Sequence, residues 1–137
     1  MLPRLLIAAG ALIVLTLGVL HLILTFRGPK LTPRDPELIA RMKEVSPVIT
    51  RETTMWKTWI GFNASHSCSA ILFGLIYGYF ALVQPAALFG SWFLSILGAV
   101  FLGFYLFLGK RYWFSTPLRG LIIASILYVA GFLAVLT

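Results

Sequence analysis

Four stretches of the chain stay apolar for about the length of a bilayer crossing, which takes roughly 20 residues of helix. They cover residues 5–26, 56–83, 88–108 and 118–136. The pattern predicts an all-α polytopic membrane protein, a four-transmembrane-helix bundle forming a single membrane domain over residues 1–137. The "MLPR" before the first run resembles the start of a secretory signal. The run is longer than a typical signal core and no A-x-A-like site precedes Arg27, so a retained span is expected. Between the second and third runs, "QPAA" at 84–87 reads as a tight uncharged turn. Between the last two lies "GKRYWFSTP", with Pro117 suited to a helix start.

The connection over residues 27–55 differs from the other two. "RGPKLTPRDP" holds three prolines and reads as extended or turned. In "DPELIARMKEV", Asp35 suits an N-cap and Pro36 a first helical position. Leu38, Ile39, Met42 and Val45 then share one face, and Glu37 and Arg41 form an i,i+4 pair in the favourable order. Such an amphipathic helix suits the headgroup plane. Ser46–Pro47 ends it, and the second membrane helix can begin near Pro47.

Composition narrows the setting. The chain is 60% hydrophobic and 11% charged, against roughly 25% charged in an average soluble domain. The formal net charge of +7 raises the question of nucleic acid, but its placement points elsewhere. Arg4 aside, every Lys and Arg lies in residues 27–57 or 110–119. Those are the first and third connections, so the positive-inside rule makes them cytoplasmic, with both termini outside and the plasma (inner) membrane as the location. No nucleic-acid partner is expected, since little chain remains for a water-exposed basic surface. Trp56, Trp59, Tyr112 and Trp113 would form an inner aromatic belt, Tyr79 and Trp92 an outer one. Cys68 is the only cysteine, which excludes an intrachain disulfide and a CxxC redox pair. No zinc-type spacing occurs.

Small residues mark helix-packing seams, which matter in lipid because backbones must approach closely. The second span offers Ala70, Gly74 and Gly78, the third Ser91, Ser95 and Gly98 with Ala99 and Gly103 beside them, the fourth Gly120, Ala124 and Gly131. Such seams serve packing within one chain or between chains of a homo-oligomer.

The second span contains a polar block, "FNASHSCS" (residues 62–69). At 100° per residue Trp59, Asn63, His66 and Ala70 share a face. Asn63 and His66 are i,i+3 neighbours, and Ser67, i+4 from Asn63, widens the patch. Polar side chains facing lipid are costly, so Asn63 and His66 should point inward. The only other histidine, His21, lies about 8 Å toward the cytoplasm from a first-span centre near Thr16, and His66 about 4–5 Å from a second-span centre near Ser69. The two rings can therefore meet.

Three readings stay open. One is an interhelical hydrogen-bond network of His21, His66, Asn63, Ser67 and Tyr128 that fixes register. A second is haem b held by His21 and His66 as metal ligands. A third is a site for a quinone, a lipid head group or a similar amphipathic molecule, with Trp59, Phe62 and Phe73 as apolar wall and His66 and Asn63 as anchors. An enzyme would use the same pocket with His66 as acid/base and Glu52 nearby. No Ser–His–Asp arrangement is visible, and Asp35, Glu37, Glu44 and Glu52 all lie in the first connection. That also argues against a carboxylate proton relay and against small multidrug exporters, which carry a membrane-embedded glutamate in their first span.

The run Trp56-x-x-Trp59-x-Gly61-Phe62-Asn63-x-Ser65-His66-Ser67, followed by Phe73-Gly74, resembles a family of small bacterial four-span membrane proteins with no known activity. "HLILTF" (21–26) and "RYWFSTP" (111–117) are similar in style to that family. The resemblance implies the four-span arrangement and brings no cofactor or partner. The sequence thus points to a non-enzymatic membrane protein surrounded by lipids, either an accessory subunit of a larger complex or a binder of a hydrophobic ligand. The alternative is a haem- or quinone-associated electron-transfer component, or a lipid-modifying enzyme, centred on His21 and His66.

Overall fold

The computed structural model describes residues 1–135. Within them the chain is all-helical: α1 (Leu2–Phe26), α2 (Pro36–Glu44), α3 (Met55–Val83), α4 (Pro85–Gly90), α5 (Trp92–Tyr112) and α6 (Ser115–Leu133). The helices α1, α3, α5 and α6 are long and apolar enough to cross a membrane. At 1.5 Å per residue they run from about 28 Å to about 43 Å. The shortest nearly matches a hydrocarbon core of about 30 Å, and α3 exceeds it by more than two turns. Leu136, the last residue expected in the fourth span, lies outside the described residues.

Element boundaries depart from the sequence expectation where proline and serine chemistry decides. The expected turn at 84–87 is instead the start of α4, because Pro85 takes the first helical position. Ser91 then ends α4 and caps α5, its hydroxyl accepting from Leu94 N. The helix α5 continues through the basic residues Lys110 and Arg111, which favour its C-terminal end. The helix α3 begins at Met55, not near Pro47.

The chain divides into two compact units. One comprises Met1–Leu17 and the chain from Ala70 onward. Each of its helices buries a single stripe at helical spacing: Ile7, Ala11 and Val14 on α1; Ala70, Phe73, Tyr77 and Ala81 on α3; Gly98, Leu102, Tyr105 and Gly109 on α5; Leu121, Ala124, Tyr128 and Gly131 on α6. Leu88 of α4 is fully buried against the same core. The remaining faces are apolar and exposed, as in Leu12, Leu72, Phe93, Phe104 and Ile126. That is the surface lipid would cover.

Helix approach in this unit rests on glycine. A Cβ on Gly74 would lie 2.5 Å from Leu15 Cβ and 2.8 Å from the Ala11 carbonyl oxygen, so α1 and α3 cross here because no side chain intervenes. Gly98 is overlain by the rings of Tyr77 and Tyr128. Gly78 makes only ordinary contact, 3.9 Å to Ala11 Cβ, and lines an open apolar groove with Ala8, Ala9 and Leu12. Ala99 and Gly103, grouped with the α5 seam on sequence, face outward. The seam runs through Gly98 and Gly109 instead.

The other unit is Gly18–Ser69. The α1 terminus is closed by Arg27 N donating to Ile23 O at 2.8 Å, followed by Gly28 at φ 80°, the left-handed conformation that favours glycine. Asp35 caps α2 through Glu37 N at 2.9 Å, with Pro36 next. The expected Glu37–Arg41 pair is replaced by Arg41–Glu44 at 3.2 Å, an exposed pair of little energetic weight. The connection is strapped to the start of α3 at three points. Trp59 Nε1 donates to Leu31 O at 3.0 Å, Met55 N donates to Val45 O at 2.8 Å, and Lys43 Nζ sits 5.8 Å from the Trp56 ring centre.

Candidate functional site

Both histidines of the chain fall within the Gly18–Ser69 unit and meet there. His21, one turn before the end of α1, places Nε2 2.9 Å from Oδ1 of Asn63 on α3. The His66 ring stands edge-on to that of His21, centroids 5.4 Å apart and planes at 80°. The three side chains are half-buried.

The hydrogen bonds assign the direction of each group. Asn63 Nδ2 donates to the Trp59 carbonyl oxygen at 2.8 Å, which fixes Oδ1 as the end turned to His21. An amide oxygen only accepts, so His21 Nε2 carries the hydrogen. In the neutral ring Nδ1 is then the acceptor. Trp59 is linked to this arrangement twice, through its carbonyl to Asn63 and through its indole N–H to Leu31 O. A chain of contacts therefore runs from the 27–35 segment through Trp59 and Asn63 to the imidazoles. The sequence did not show the Leu31 contact, and a tryptophan at the start of a membrane helix was its only trace.

Several expected participants are engaged elsewhere. Ser67 is fully buried and its hydroxyl donates to Asn63 O at 2.8 Å, one turn back on its own helix, so it does not widen the polar patch. Thr25, Ser65 and Ser69 also bond to preceding carbonyls. The residues expected as an apolar wall are divided between the two units. Trp59 and Phe62 are exposed, and Phe73 stacks between Tyr77 and Phe101, at 4.4 and 4.5 Å, in the core of the other unit. Tyr128 donates to Ser95 O at 2.8 Å and Tyr77 to Leu94 O at 2.7 Å, an arrangement at the start of α5 that the sequence did not signal. Glu52 lies exposed in the 46–54 segment, its backbone N–H held by Thr50 Oγ1. Ala70 is buried, and Gly74 and Gly78 take the places already given.

Metal and haem chemistry can be tested against these positions. Among the described residues no group of three or more His, Cys, Asp or Glu could hold an ion. Haem held between both imidazoles requires two nitrogens on opposite sides of one iron, each at about 2 Å, which puts ring centres about 6 Å apart with a macrocycle between them. Here the rings touch edge to face and His21 Nε2 is turned to Asn63. The residues as placed do not fit a bis-histidine haem.

No protein-family model, no curated protein and no solved structure matches the chain.

Proposed function

We propose that this integral membrane protein binds an amphipathic small molecule whose hydroxyl- or carbonyl-bearing head, quinol-like or lipid-like, meets the imidazoles of His21 and His66. The observation that carries the reading is the edge-to-face histidine pair with one ring's tautomer set by Asn63. His21 offers Nδ1 as an acceptor, and a neutral His66 can donate or accept. Together they complement a head group that both gives and takes a hydrogen bond. The apolar tail would lie along the exposed hydrocarbon faces of the spanning helices, where Leu20 and Ile23 flank His21. The reading is one of binding; all four carboxylates lie in the connection outside the spans, so the polar groups brought together within them are the two imidazoles and the Asn63 amide. By the distribution of Lys and Arg, the 27–54 connection faces the cytoplasm and both termini lie outside.

The test is quantitative extraction. Wild type, His21→Ala, His66→Ala and Cys68→Ser proteins are purified in mild detergent, matched for helix content, and their quinones and lipids measured by mass spectrometry. One species should fall at least tenfold in both histidine variants and persist in Cys68→Ser. Identical profiles in all four would remove the histidine pair from any binding role.

A further inference from the structure

The 46–54 segment carries the two most exposed large apolar side chains among the described residues, Val48 at 109% and Ile49 at 92%. A hydrogen-bonded turn holds them out. Thr50 N donates to Pro47 O at 3.3 Å, and Glu52 N donates to Thr50 Oγ1 at 3.1 Å. The Met55 N to Val45 O bond closes the base at 2.8 Å. Two adjacent β-branched residues on a tied tip form an apolar point that water solvates poorly.

The surroundings are basic. Arg51 follows the tip, and Arg27, Lys30, Arg34, Lys43 and Lys57 are all exposed in the same unit. The four carboxylates of this region leave a positive surplus, and Glu44 is already paired with Arg41. The neighbouring α2 buries none of its residues, and Leu38 on its apolar face and Val45 at its end are exposed. The segment is also bounded on both sides by helices that can span a membrane, ending at Phe26 and resuming at Met55. It is therefore tethered at a membrane surface by construction.

An apolar tip, an amphipathic helix with no buried residue and surplus positive charge at a bilayer surface match an anionic lipid interface. We infer that the 27–54 connection docks on the anionic phospholipids of the protein's own membrane, with Val48 and Ile49 inserted below the headgroups and the basic side chains at phosphate level. Charge complementarity and the tether favour lipid over a soluble protein partner. No residue of the ligand site takes part, so the inference stands independently of it.

Cys68 is the only cysteine and is exposed, so Cys68→Ser with Ile49→Cys gives one position for the environment-sensitive dye NBD. The full-length labelled protein is reconstituted in phosphatidylcholine vesicles with or without one part in three phosphatidylglycerol. In anionic vesicles the emission should shift to the blue and be quenched by shallow spin-labelled lipid. High salt, or Lys43→Glu with Arg51→Glu, should reduce the shift at least twofold. Water-like emission in both compositions overturns insertion and leaves the tip for a soluble partner. A blue shift equal in both compositions and insensitive to salt overturns the anionic requirement.

Discussion

His21 Nε2 and Asn63 Oδ1 lie 2.9 Å apart although 42 positions separate them in sequence. The bond joins α1 to α3 inside both apolar runs, toward the ends that flank the 27–54 connection. Because Asn63 is itself anchored to the Trp59 carbonyl, it selects one tautomer of His21.

The two residues should therefore be energetically coupled. His21→Ala and Asn63→Ala should each destabilise the protein by about 1 kcal/mol, the scale of interhelical hydrogen bonds in membranes. The double variant should cost clearly less than the sum. Equilibrium unfolding in mixed detergent measures the cycle, and strict additivity would show that the bond contributes nothing.

Gly74 and Gly78 separate tight packing from an open groove. Gly74→Ala places a methyl 2.5 Å from Leu15 Cβ and 2.8 Å from backbone oxygen, neither of which is a flexible side-chain end. A loss of about 1–3 kcal/mol is expected for such overpacking. Gly78→Ala, with its nearest neighbour at 3.9 Å, should change stability by less than about 0.5 kcal/mol. Equal effects in thermal unfolding would contradict the crossing described for α1 and α3.

A tyrosine clamp closes over Gly98. A Cβ added there would meet the Tyr128 hydroxyl first, which also donates to Ser95 O. Tyr128→Phe alone should destabilise by about 0.5–1.5 kcal/mol through the lost hydrogen bond. In a Gly98→Ala background the same change removes the nearest clashing atom, so its cost should shrink or reverse. Independent effects would mean that the two residues are not in contact.

Trp59 strap contacts can be read by hydrogen exchange. Trp59→Phe keeps an aromatic ring but removes the donor to Leu31 O. Exchange should rise at residues 29–34 and stay unchanged within α2, whose amides are held by its own turns and the Asp35 cap. Faster exchange confined to α2 would run against the strap.

The four spans and the capped α2 were legible because they depend on local signals: sustained apolar length, an Asp-Pro start and a Ser-Pro stop. The meeting of His21 and His66 was legible as a match in depth along two helices. What the sequence could not supply was the rotation of each helix about its axis. That rotation turns Gly98 inward and Gly103 outward and places Phe73 in a stack with Tyr77 and Phe101, while the Ser67 hydroxyl bonds back to its own helix through its rotamer alone. Proline at 85 suggests a turn from the sequence because the same residue starts helices and breaks them. No side-chain cap on Gln84 marks the start of α4 to distinguish the two outcomes.

The proposed ligand site is tested most directly through its two imidazoles. The chain has two histidines, so ring-nitrogen-labelled protein in lipid bilayers gives a spectrum of two residues. The expected spectrum shows a His21 ring protonated at Nε2, and selective shifts of His21 Nδ1 and of His66 on addition of a short-tailed quinol or a short-chain monoacylglycerol. A His21 ring protonated at Nδ1, or imidazole signals unmoved by saturating amounts of both probes, would contradict the proposed site.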